Sequence, residues 1–189
     1  RSQLAEERAK RSERLDVLKR LAASYEGVEG GVKQVLEEAA RRPDRGGVLG
    51  LLADQVEVSK DGAHVLDRLL GNAAGAVVVK TTADALRWLD WLRTKGGSRA
   101  RFLALDLARD EALTLPGEVG EVRGDPAVVR LVASAAAGCV LVPDLAAGVA
   151  LWRLTPGAEA VTAAGERVTA AGMLLSGGGA SALGLVERA

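Results

Sequence analysis

Cysteine and histidine are almost absent from this sequence, which has one of each in 189 residues, Cys139 and His64. A single cysteine excludes a disulfide framework within the chain and suits a reducing, cytoplasmic setting. With one of each, a zinc site built on Cys and His ligands is not expected. Any Ser-His-acid or Cys-His catalytic pair would have to run through His64. That residue sits in Lys60-Asp61-Gly62-Ala63-His64-Val65, the polar start of a helix, and is read as a helix-surface residue. Aromatic residues make up only 3%, so a core must be built from Val, Leu and Ala. No apolar run reaches the roughly 20 residues a membrane span needs. The first residues are polar and charged and lack a secretory pattern. The chain opens on Arg1 and is read as an excerpt of a longer one. Charge of one sign is also missing: 25 basic and 25 acidic residues cancel, which argues against strong general affinity for a polyanion. What is present, 48% apolar and 26% charged residues, is enough for a packed core.

Residues 1–25 differ from the rest. They are rich in Glu, Arg, Lys, Leu and Ala and contain no Gly or Pro, so helix propensity is high throughout. Leu4, Arg11, Leu18 and Tyr25 fall seven apart, with Leu15 and Ala22 as a second seam, a heptad pattern. Such a polar helix needs a partner strand to pack on, and no second heptad segment follows; the pattern fits one side of a coiled-coil arm. Gly27 ends it. A short helix over 31–41 carries Val32, Val35, Leu36 and Ala39 on one face, and Arg42-Pro43-Asp44-Arg45-Gly46-Gly47 breaks it.

From Val48 onward the pattern is α/β. Residues 49–58 read as strand or strand and turn, and 63–70 as helix up to Gly71. Ala76-Val77-Val78-Val79 is a short buried strand. Thr81-Thr82-Ala83-Asp84 opens a helix, with Thr82 read as its N-cap, carrying Leu86, Leu89 and Leu92. Residues 101–105 form the next strand. The same order then returns: helix 126–136, strand 139–142, a helix from Leu145 capped by Asp144, and strand 159–162. Two related subdomains are expected, divided as 26–110 and 111–189, with residues 106–124 as an uninformative joint. Val161 to Val168 reads as a hairpin turning at Ala164-Gly165. Beyond it, Gly172-Met173-Leu174-Leu175-Ser176 and Gly177-Gly178-Gly179 form an apolar strand between glycines, a candidate sheet edge where another backbone can approach closely.

These residues carry a family resemblance. Val161-Thr162, Gly165-Glu166, Val168-Thr169, Gly172 and Ser176-Gly177-Gly178 resemble the closing signature of the hinge of bacterial SMC (structural maintenance of chromosomes) proteins, V-T-L-x-G-x-x-[VI]-x-P-x-G-x-[IL]-[ST]-G-G. Gly46-Gly47-Val48-Leu49-Gly50 with Val56-Glu57-Val58 resembles the hinge opening. Thr82-Ala83-Asp84-Ala85 and the run from Arg99 to Asp106 follow in the family's order. Tyr25-Glu26-Gly27-Val28 with Gly31-Val32-Lys33 resembles the entry where arm meets hinge. The resemblance covers about residues 25–186. The family's Pro before Gly172 is replaced by Ala170-Ala171, and Met173-Leu174-Leu175 is one residue longer than the usual spacing.

The resemblance implies an α/β (α+β) fold of two small subdomains behind a coiled-coil helix, and a module that joins two arms by homodimerisation. It implies an interface at Gly172, Met173, Leu174, Leu175, Ser176, Gly177, Gly178 and Gly179, with subdomain one of each copy meeting subdomain two of the other. Glycines there would let the partner backbone come close. It also implies DNA as a partner, with Lys33, Arg41, Arg42 and Arg45 as the contact residues, although a solvated basic surface fits that cluster equally. No cofactor or metal is implied here. ATP, Mg and accessory condensin subunits belong to head domains elsewhere in the parent ATPase, which serves chromosome condensation and segregation in the cytoplasm, at the nucleoid. Two other classes stay open. A nucleotide-binding enzyme fits the α/β pattern, but there is no G-x-x-x-x-G-K-[ST] sequence, and Gly177-Gly178-Gly179 leads to Ala180-Ser181 without a lysine. A coiled-coil adaptor that dimerises without touching DNA differs from the hinge reading only at the basic cluster.

Overall fold

A computed structural model of the chain describes residues 29–108 and 114–177. The arm helix at 1–25, the entry motif at Tyr25-Glu26-Gly27-Val28, the subdomain division between 110 and 111, and Gly178 and Gly179 lie outside these residues. Helix α1 (Gly30–Arg41) buries Val32, Val35, Leu36 and Ala39, the face expected from their spacing. Strands β1 (Val48–Leu51) and β2 (Val56–Val58) follow, parted by a turn at 53–55. Helix α2 (Lys60–Leu70) is capped by the Ser59 hydroxyl, which accepts from Gly62 N at 3.2 Å. Strand β3 (Val77–Val79), helix α3 (Thr82–Thr94) and strand β4 (Phe102–Ala104) complete the first half.

The N-cap of α3 differs from the expected Thr82. It is Thr81, whose hydroxyl accepts from Asp84 N at 3.1 Å while Asp84 accepts from Thr81 N at 3.1 Å, a capping box. The reciprocal bond needs the carboxylate three residues after the cap, and only Thr81 has one. Thr82 serves another element: its N–H and hydroxyl donate to Asp106 at 2.9 and 2.8 Å, tying α3 to the segment after β4. Of the leucines on this helix, Leu92 is buried and Leu86 and Leu89 are exposed. Ala85, Trp88 and Leu92 face the core instead. Trp88 is anchored because its indole N–H donates to the Gly46 carbonyl at 2.9 Å.

The second half repeats this order. Strand β5 (Val122–Gly124) leads into α4 (Pro126–Ala136), β6 (Cys139–Val142), α5 (Leu145–Leu154), β7 (Glu159–Thr162), β8 (Arg167–Val168) and β9 (Leu174–Leu175). Asp144 caps α5, accepting from Ala147 N at 2.8 Å. In each half a helix connects two parallel strands, α3 between β3 and β4 and α5 between β6 and β7, so the sequence repeat is a repeated βαβ unit. The first unit belongs to a sheet ordered β1-β3-β4 and the second to a sheet ordered β6-β7-β8-β9.

Val77 and Val79 point to α1 and α3 while Val78 points to α2, the two-residue alternation of a strand buried on both faces. The core on the α2 side joins the halves: Leu66 and Leu69 of α2 pack with Leu131 and Val132 of α4, Cys139 of β6 and Val161 of β7. The joint expected to be uninformative contributes to both. Its strand β5 pairs antiparallel with β2, Val56 opposite Gly124 and Val58 opposite Val122. Just before it, Val119 is fully buried, and its carbonyl lies so close to Gly62 that any Cβ there would overlap it.

Candidate functional site

The glycine-flanked segment at 172–177 forms the outer edge of the second sheet. Among the described residues β9 pairs only with β8, Leu174 opposite Val168 and Leu175 opposite Arg167. The turn that delivers it is made without proline. Gly172 N donates to the Thr169 carbonyl at 2.8 Å, Met173 N donates to the Thr169 hydroxyl at 3.1 Å, and Thr169 N donates to the Met173 carbonyl at 3.0 Å. Gly172 has φ +78°, a conformation glycine adopts at little cost, and it lies against the Trp152 ring. The Trp152 indole N–H donates to the Ala170 carbonyl at 3.1 Å, so Trp152 of α5 supports the turn that Ala170 and Ala171 make in place of Pro. Sequence reading did not single out Trp152, because nothing local marks the helix face on which the turn rests.

The strand so held exposes its apolar side chains. Met173 is 57% exposed, Leu174 57% and Leu175 45%. Single exposed apolar side chains are ordinary, but three in succession on an edge strand leave backbone groups and apolar surface without a partner among the described residues. One of these glycines has a task within the chain. A Cβ at Gly177 would overlap the carbonyl oxygen of Ala164, in the β7–β8 turn of the same chain. Its small size is needed inside the molecule, to seat the end of β9 on that hairpin.

The basic residues from 33 to 45 are only partly brought together. Arg41 and Arg42 share Glu38, at 3.8 and 3.3 Å. Arg42 is also stacked on Trp88, its guanidinium 4.4 Å from the ring centroid, which removes it further from solvent. Arg45 is exposed and takes φ +53° in the turn after α1. Lys33 lies two turns back along α1. His64 is on the exposed face of α2. The Asp106 carboxyl is held below its ordinary pKa by the bonds from the Thr82 backbone and hydroxyl, a structural tie. Burial pushes the Cys139 thiol up, which disfavours the thiolate a nucleophile needs. Among the described residues no group of His, Cys, Asp and Glu could hold a metal ion, and no helix is long and apolar enough to cross a membrane.

Comparison with known proteins agrees with this geometry. Residues 45–152 match the model of the SMC proteins flexible hinge domain. A chromosome partition protein Smc of Myxococcus xanthus is 27% identical over 175 residues, 86% of this chain and 14% of the relative. Among solved structures, an asymmetric dimer of the Geobacillus stearothermophilus SMC hinge domain superposes with TM-score 0.68 at 26% identity, covering 98% of this chain and 79% of that one. The Pyrococcus furiosus Smc hinge domain with an extended coiled coil gives TM-score 0.59 at 28% identity, covering 97% of this chain and 71% of that one. The chain spans between 8% and 14% of the length of the curated relatives it matches.

Proposed function

The chain belongs to the SMC flexible hinge domain family, and from that premise we propose that it is a homodimerisation hinge whose contact edge is β9, joining two coiled-coil arms in a chromosome-partitioning SMC protein. The observation that carries this is the apolar edge at Met173, Leu174 and Leu175, unpaired on its outer side among the described residues. An unprotected edge strand is a template for a second backbone. In a closed two-fold dimer one substitution acts at every copy of the contact. The related Geobacillus hinge, by its description, forms a dimer.

Leu174→Glu with Leu175→Glu is the informative variant, because both residues are exposed on β9. The expected result in sedimentation at micromolar concentration is a folded monomer where the parent chain is a dimer. A variant that remains a dimer would remove β9 from the interface.

The same reading gives the chain no catalysis of its own. ATP and Mg act at head domains of the full-length protein, where accessory condensin subunits also bind, and the setting is the bacterial nucleoid. For DNA contact, Arg41 and Arg45 are the most accessible members of the expected set with Lys33 and Arg42, the Arg41 side chain being 65% exposed. A duplex or single strand held by these few phosphate contacts would dissociate steeply as salt rises. Retention that is indifferent to salt, measured by fluorescence anisotropy, would contradict phosphate contact.

A further inference from the structure

A cleft of about 410 Å³ opens between the end of α2 and the sheet strands β7, β8 and β9, lined by Arg68, Asn72, Glu159, Arg167, Leu175 and Ser176. Its charges do not balance. Glu159 is its only carboxylate, and both oxygens are engaged: one accepts from Arg167 at 3.2 Å, the other from Ala170 N at 3.3 Å. Arg167 is further occupied by the carbonyls of Arg68 and Leu69 at the end of α2. Arg68 forms no ion pair with any described residue, and its Nη1, buried against Gly165, has no hydrogen-bond acceptor among them. A guanidinium left so is costly unless an acceptor arrives.

The backbone is shaped around both cations. A Cβ on Gly165 would overlap the Arg68 guanidinium, and one on Gly71 would come within 2.9 Å of Arg167 Nη2. Asn72 and Ser176 add neutral donors to the lining. We propose that this cleft is an oxyanion site, in which the Arg68 guanidinium receives a carboxylate or phosphate group. Arg68 suits such a group, since carboxylate and phosphate oxygens accept strong, charge-assisted bonds from guanidinium. Leu175 and Ser176 place the cleft beside the β9 edge, so an acidic side chain of a second copy is one source of the oxyanion. Free phosphate is the other. The first source rests on the dimer reading; the second does not.

The test uses the 189-residue chain, inorganic phosphate at constant ionic strength, and the variants Arg68→Met and Arg68→Lys. If a second copy supplies the group, Arg68→Met weakens dimerisation by about tenfold or more, Arg68→Lys weakens it less, and phosphate competes with wild-type dimer formation. If the anion is free, phosphate raises the wild-type melting temperature, Arg68→Met abolishes that shift, and dimer affinity is unchanged. Phosphate shifts that are equal in wild type and Arg68→Met, with equal dimer affinities, overturn the proposal. Should Arg68→Met not fold, Asn72→Leu and Ser176→Val at the cleft carry the same comparison. A wild-type chain that is monomeric throughout would count against the dimer reading, while the phosphate arm would still decide the site.

Discussion

At the scale of single residues, glycine is the most informative type here, and for reasons of space more than of flexibility. Gly177 was legible in the sequence as part of a family signature, but its task was not. The signature reads as a place for a partner backbone, whereas the structure puts the Ala164 carbonyl of the same chain against it. A sequence cannot distinguish these, because both require the absence of a side chain. The two tasks separate by experiment. Gly177→Ala is expected to destabilise the fold by about 1–3 kcal/mol, the cost of forcing extra volume into a packed contact, seen as a lowered urea midpoint. Leu174→Glu with Leu175→Glu should leave that midpoint nearly unchanged and alter only association. The N-cap of α3 teaches the same lesson: two adjacent threonines compete, and the choice depends on which has a carboxylate three residues on and which is claimed by the distant Asp106.

At the scale of elements, the repeated βαβ order was readable because each strand is a short β-branched run and each helix has a stop or a cap. Thr82 and Asp144 were the marked starts, and both helices exist where expected, the first with its cap one residue earlier. The joint was not readable. Strand β5 is three residues, Val122–Gly124, with no alternation and two charged or glycine positions, and it exists as a strand because β2 pairs with it. Val119 likewise looks like one apolar residue among glycines and acids, yet it is fully buried against α2. Val119→Ala is therefore expected to cost about 2 kcal/mol, measurable by chemical denaturation. An exposed loop valine would show almost no change. The edge character of β9 was legible from its flanking glycines, while the exposure of Leu86 and Leu89 was not, since their spacing on α3 is as compatible with a core face as that of Leu92.

At the scale of the whole molecule, the two larger sheets share one core through α2 and α4. A shared core couples the units, because neither can open without exposing the apolar surface of the other. Unfolding is expected to be a single transition. The indole signals can be separated, since Trp88 and Trp91 lie in the first unit and Trp152 in the second. In urea, the fluorescence of a Trp152→Phe variant and that of a Trp88→Phe, Trp91→Phe variant should each coincide with the loss of helical circular dichroism measured on the same variant. Two separated transitions within one variant would mean that the units fold independently.

The two ladder pairs that attach β9 to β8 have a mechanical meaning as well. Helix α1 is seated by four buried side chains, whereas β9 is held to β8 by two residue pairs. Tension applied to the backbone at α1 and at β9 would therefore meet unequal resistance. Strand β9 would peel before α1, and the Ala164 turn on which Gly177 rests would be released with it. With β9 as the contact edge proposed above, load on that strand and loosening of the dimer would be the same physical event.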